Sequence, residues 1–206
     1  MNKTRWRQLM TYFKISNDFK MYENITRAYT EPHRHYHTLE HINQMLNLFD
    51  LTKSTARKTE ELELAIIFHD LVYEIPSTQN ELMSAKITMK FLQNCGVQES
   101  VIDRIFKLIL STRHDIELHD HDQQLLSDID LSILGQESNI FEDYESKIRK
   151  EFQYIPKDIY IKGRIKVLNH FLQKSQIYHT EYFAQNYEHR SRINIKNSIH
   201  KLKLHL

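Results

Sequence analysis

The sequence predicts an all-α protein: one helical bundle of about eight to nine helices spanning residues 1–206. Three observations carry this. Only 3 Gly and 3 Pro occur in 206 residues, far below ordinary usage, so tight turns are few and a sandwich or barrel is disfavoured. Apolar residues recur at helical spacing along most of the chain, as in Leu39, Ile42, Leu46 and Phe49. The helical stretches are separated by short polar connections, without a linker, repeat or low-complexity tract.

Taken in order, residues 4–20 place Trp6, Leu9, Met10 and Phe13 on one stripe and read as the first helix. Residues 22–37 are less periodic, and Pro32 biases Glu31 away from helix, so a connection falls there. A helix starts after Thr38, a suitable N-cap. The central helix is expected over 61–73. Its core, Leu-Ala-Ile-Ile-Phe-His-Asp-Leu-Val-Tyr at 64–73, is apolar nearly all round and so reads as buried. Residues 75–80 form a loop. Helices follow over 80–94, with Gly96 at the C′ position, and over 99–111. A short helix over 123–134 ends at Gly135, one over 139–153 is stopped by Pro156, one runs to 174 with Asp158 as a cap, and a long basic one covers 180–202.

Composition excludes several classes of function. Lys+Arg 28 against Asp+Glu 27 gives a net charge of +1, so no basic face marks a nucleic-acid partner. No apolar run approaches the length of a membrane span, and the N-terminal residues lead into no signal-peptide core. One cysteine, Cys95, fits a reducing compartment. A cytoplasmic protein is expected, without nucleic acid or membrane as partner; a homo-oligomer stays open. The anomaly is 13 histidines, and they cluster.

His69 and Asp70 stand side by side in the central apolar stretch. Burying an imidazole and a carboxylate is costly without compensation, and the compensation is either their mutual pairing or a divalent ion. Two other segments add matching donors: His33-Arg-His-Tyr-His37-Thr-Leu-Glu-His41, and Ser127-Asp128-Ile-Asp130. Imidazole and carboxylate together suit Mn²⁺, Fe²⁺, Zn²⁺ or Mg²⁺, while a single Cys rules out a thiolate site. No Glu has His three residues on, which removes a di-iron bundle, and no His-Glu-x-x-His occurs, which removes a zincin.

The order His41, His69-Asp70, Asp130 resembles the H…HD…D arrangement of the HD superfamily of metal-dependent phosphohydrolases. Tyr36-His37-Thr-Leu-Glu-His41 is similar to the Tyr-His-x-x-x-His run of cyclic-nucleotide phosphodiesterases, a distant branch. The chain resembles more closely a bacterial group of predicted HD phosphohydrolases of unassigned substrate. The shared segments are Phe-His-Asp-x-Val-Tyr, Asn80-Glu81-x-x-Ser84-Ala85, Asp-x-Asp-Leu-x-Ile-Leu-Gly at 128–135, Tyr160-x-x-Gly163-Arg164 and Ile177-Tyr178-x-Thr180.

The resemblance implies an HD-domain-like bundle that hydrolyses a phosphoester or phosphoanhydride of a nucleotide or similar small substrate. It implies His41, His69, Asp70 and Asp130 as metal ligands, with Asp128 beyond the ligand shell. It implies His37 as general acid, Asp70 or Asp130 as a proton acceptor and Glu81 at the site. Arg164, and after it Arg113 or Lys86, would hold phosphate oxygens. For Arg164 a buried ion pair is the competing reading, as for His114 a helix-end histidine competes with a place in the cleft. His33, His35 and the run His119-Asp-His-Asp122 read as solvated, and Arg149 as an exposed partner of Glu145. The alternative function is a metal-bound nucleotide-sensing or interaction module that has lost turnover.

Overall fold

The computed structural model describes residues 2–16 and 18–206. The described residues form ten α-helices and two 3₁₀ turns, with no strand. The helices are α1 (Lys3–Tyr12), α2 (Phe19–Ala28), α3 (Leu39–Thr52), α4 (Thr59–Phe68), α5 (Asn80–Asn94), α6 (Glu99–Ser111), α7 (His121–Leu131), α8 (Ser138–Glu151), α9 (Lys157–Gln173) and α10 (Glu181–Lys203). The all-α expectation holds. The count of eight to nine is corrected to ten.

The first helix is shorter than the expected 4–20, of which residue 17 lies outside the described residues, and the added element is α2, most of which falls in the less periodic 22–37 stretch. α1 stops at Tyr12, and Lys14 takes a left-handed backbone at φ 57°, which no residue type there announces. α2 then begins at Phe19. Only Ile25 of its ten residues is buried, so the stripe that periodicity follows is one residue deep.

Contacts divide the chain into two compact units, the first ending at Ser127 and the second covering Asp128–Leu206. In the first, α3, α5 and α6 are neighbours of α4 or of each other. α4 is buried on all sides from Leu64 to Phe68, as its apolar run requires. Thr38 caps α3 with its hydroxyl accepting from the Glu40 amide at 3.3 Å, and Gly96 ends α5 at φ 73°, where a side chain would be strained.

In the second unit, α10 packs along α9 and over the 3₁₀ turn Ser132–Gly135. Gly135 is required there: a Cβ would stand 2.8 Å from the Tyr187 side chain and carbonyl. Asp158 lies in the first turn of α9 rather than capping it, since Pro156 holds the cap position.

Candidate metal centre

The central helix ends earlier than its apolarity predicts. α4 closes at Phe68, His69 is its C-cap, and Asp70 lies in the turn beyond. Apolar character continues because the turn is also buried. The orphan carbonyls of a helix end need donors, and here side chains supply them. His69 Nδ1 lies 2.8 Å from the Ile66 carbonyl. The Tyr29 hydroxyl donates to the Ile67 carbonyl at 3.0 Å and accepts from the Asp70 amide at 3.2 Å. Arg34 donates to the carbonyls of Asp70 (2.6 Å) and Leu71 (3.0 Å). Its Nε also holds the Glu31 carboxylate, and its guanidinium lies over the Tyr29 and Tyr73 rings.

That frame fixes the imidazole. A carbonyl can only accept, so His69 Nδ1 carries a proton, and in the neutral ring Nε2 would present a lone pair. Nε2 stands 3.0 Å from Asp70 Oδ2, and His41 Nε2 stands 3.9 Å from the same oxygen. Both imidazoles are buried. A lone pair facing a carboxylate oxygen at that range needs positive charge between them, either a proton or a metal ion. Two atoms bound to one ion at ~2.1 Å each lie no more than ~4.2 Å apart, and both separations fit. Among the described residues, His41, His69 and Asp130 form a group that could hold a metal ion, one ligand atom from each lying within 4.8 Å of the others. The donor set suits a divalent ion of borderline or hard character.

The two aspartates of α7 separate clearly. Asp128 is fully buried, and its carboxylate accepts from the His179 amide (2.9 Å), the Thr180 amide (2.7 Å) and the Thr180 hydroxyl (2.7 Å). It anchors the segment entering α10. Tyr178, whose hydroxyl donates to the Leu131 carbonyl, holds the same segment. Asp130, half-buried, is the aspartate of the metal-capable group.

Around the dyad, the structure gathers other expected residues. His37 sits just outside α3, stacked on Tyr73 at 4.1 Å between ring centroids and 5.9 Å from the His41 ring. Asn80 and Ser84 pin the chain after the dyad: Asn80 exchanges hydrogen bonds with the Glu74 backbone, and Ser84 accepts from the Val72 amide. Glu81 lies between them on α5. Burial pushes its carboxyl above the usual value, and the Asp70 charge adds to this; its own backbone amide, His114 and Arg113 pull the other way. His114 takes a left-handed backbone, φ 59°, with Nδ1 3.1 Å from Ser127 Oγ. Left-handed backbone at a non-glycine residue is strained.

Other expected residues lie elsewhere or differ in role. Arg164, in the second unit, is bound to Glu145 and donates to the Tyr144 hydroxyl at 2.9 Å; of its two readings, the ion pair is what is seen. Burial lowers the proton affinity of the Arg164 guanidinium, but Tyr144 and the Glu145 carboxylate outweigh it and hold the group above its usual value. Arg149 is therefore not the partner of Glu145; it donates to the Phe152 and Ile155 carbonyls. Lys86 is exposed. His33 is not simply solvated, for its Nε2 meets the Tyr73 carbonyl at 2.9 Å. Nor is Asp122: it is buried and accepts from the Arg57 and Lys58 amides at 2.8 Å, at the start of α4. Sequence reading passed over Tyr29 and Arg34. The signal available was Arg34 inside the histidine run, a guanidinium with only one carboxylate, Glu31, nearby in sequence.

Compared with known protein families, curated proteins and solved structures, the chain matches none. Among the described residues, no helix is long and apolar enough to cross a membrane.

Proposed function

We propose that the chain is a metal-dependent phosphohydrolase of the HD type, cleaving a phosphoester or phosphoanhydride of a nucleotide or similar small phosphorylated substrate. The observation that carries this reading is the convergence of the His41 and His69 Nε2 atoms on Asp70 Oδ2, with Asp130 completing a metal-capable group. His41, His69, Asp70 and Asp130 would hold the ion. A divalent ion so held lowers the pKa of water and withdraws charge from a phosphoryl oxygen.

The chain's own groups supply the rest. Glu81 has a carboxyl whose raised affinity for protons suits it to accept one from the attacking water. His37 is stacked on Tyr73, and in its protonated form it would donate to the leaving oxygen. His114 and Arg113, whose charges Glu81 senses, would bind phosphoryl oxygens. Arg164 keeps Glu145 and Tyr144 in place instead of reaching substrate.

The test is phosphate release from a panel of nucleotides and phosphoesters, with Mn²⁺, Mg²⁺, Co²⁺, Ni²⁺ and Zn²⁺ supplied separately. Release with at least one metal, abolished by His69→Ala, is expected. Metal and nucleotide binding without release from any substrate would overturn the hydrolase and leave the sensing module. The role of His37 is read as a ratio. His37→Ala should keep its metal and lose about 10²–10⁴-fold on an alkyl or nucleoside ester, with a much smaller loss on a p-nitrophenyl ester, whose leaving group departs without a proton. Equal losses would make His37 a phosphate-positioning group.

A further inference from the structure

The second unit contains a hollow that the proposed hydrolysis does not use. α8, α9 and α10 line a cavity of about 620 Å³, within the range of small-molecule sites. It contains none of the four candidate metal ligands. Phe141, Tyr160, Ile161 and Leu202 give it an apolar wall.

Its charges do not cancel. The two carboxylates at its edge are both satisfied: Glu142 by Lys201 Nζ at 2.6 Å, and Glu145 by Arg164 and by the Ser198 hydroxyl at 2.9 Å. Two further cations line it, Arg149 and Lys157. Arg149 is held by the neutral carbonyls of Phe152 and Ile155 and lies 4.6 Å over the Tyr160 ring. Those contacts fix the guanidinium without neutralising it. Lys157 is exposed and has no ion-pair partner among the described residues. A fixed guanidinium beside an apolar wall favours a ligand that brings one negative charge and an apolar body.

We propose that this cavity is a second binding site, separate from the metal centre, for a small organic anion with a carboxylate or phosphate head and an apolar body. The head meets Arg149 and Lys157, and the body lies against Phe141, Tyr160, Ile161 and Leu202.

Two fluorescent probes with the same ring body test this: anionic 8-anilinonaphthalene-1-sulfonate and neutral N-phenyl-1-naphthylamine, titrated into the full chain. The sulfonate should bind at one site per chain, about tenfold or more tighter than the neutral probe. Lys157→Glu, at an exposed position, should weaken the sulfonate about fivefold or more while leaving the neutral probe and the thermal melt unchanged. Ser146→Trp, also exposed and on the lining, should block both probes. Competition with dodecanoate and dodecyl phosphate distinguishes the two head groups: displacement by one of them assigns the head, and by both leaves a general anion site. Equal affinity for the two probes, indifference of the sulfonate to both substitutions, or displacement by neither competitor would overturn the proposal. The readout is binding alone, so failure of the hydrolase reading would leave it unaffected.

Discussion

The carboxylates of Asp70 and Asp128 are both buried, yet their surroundings are opposite. Asp128 receives donors from two backbone amides and a hydroxyl, a shell that satisfies an ionised carboxylate within the protein. Asp70 turns one oxygen toward the Nε2 atoms of two imidazoles, and at least one of these has its proton on the far nitrogen. The first arrangement is complete as it stands and serves folding. The second lies beside a group that could hold a metal ion. Burial alone does not distinguish them; the sign of the groups facing each oxygen does.

The sharpest test of that contrast is metal content. His69→Ala and Asp70→Ala should purify without metal and show no phosphate release, while Asp128→Ala should bind metal in proportion to its folded fraction. Metal analysis decides it, and loss of metal from Asp128→Ala with retention in Asp130→Ala would reverse the assignment of the two aspartates. Stability should show the opposite pattern. Asp128→Ala leaves buried donors without an acceptor and should cost about 3 kcal/mol, read by urea denaturation. Asp130→Ala should cost less than about 1 kcal/mol in metal-free buffer.

A smaller effect is expected at Arg34, which holds the backbone of the dyad without touching the ligand atoms. Arg34→Gln should weaken metal affinity about 10–100-fold, while Arg5→Gln, which breaks the ion pairs to Asp50 and Glu63, should destabilise the fold and leave metal affinity unchanged. Similar affinity losses in both variants would reduce Arg34 to a general stabiliser.

The smallest effect concerns Glu81. Burial keeps its proton on above the usual 4.5, so above that pH the native state binds more protons than the unfolded chain. Stability therefore falls as pH rises, through a window that opens at the usual value and closes at the raised one. Glu81→Gln should flatten that part of the pH–stability profile in chelator. An unchanged slope would mean that its carboxyl is better solvated than its position indicates.

Much of this was legible before the structure. Ile42, Leu46 and Phe49 are buried as their spacing requires, because amphipathic period is written directly in sequence. Thr38 and Gly96 cap as their chemistry predicts. Of the two aspartates, Asp130 is the one in the group that could hold a metal ion. What was illegible depends on partners far away in the chain. The end of α4 is set by Tyr29 and Arg34, 41 and 36 residues from Asp70, and an apolar run reads the same whether it continues as helix or enters a buried turn. Arg149 failed for a related reason: Glu145 is four residues away, but Arg164 from another helix claims it.

The Tyr29 hydroxyl has a consequence for exchange with solvent. The Asp70 amide is protected by a phenol at the C-terminal end of α2 rather than by a carbonyl of its own helix. Its hydrogen–deuterium exchange thus reports whether α2 is docked, whereas that of the His69 amide, bonded to the Ala65 carbonyl, reports α4 itself. Two adjacent amides therefore keep separate clocks, and a difference between them would measure how often the short second helix lifts away while the central one stays intact.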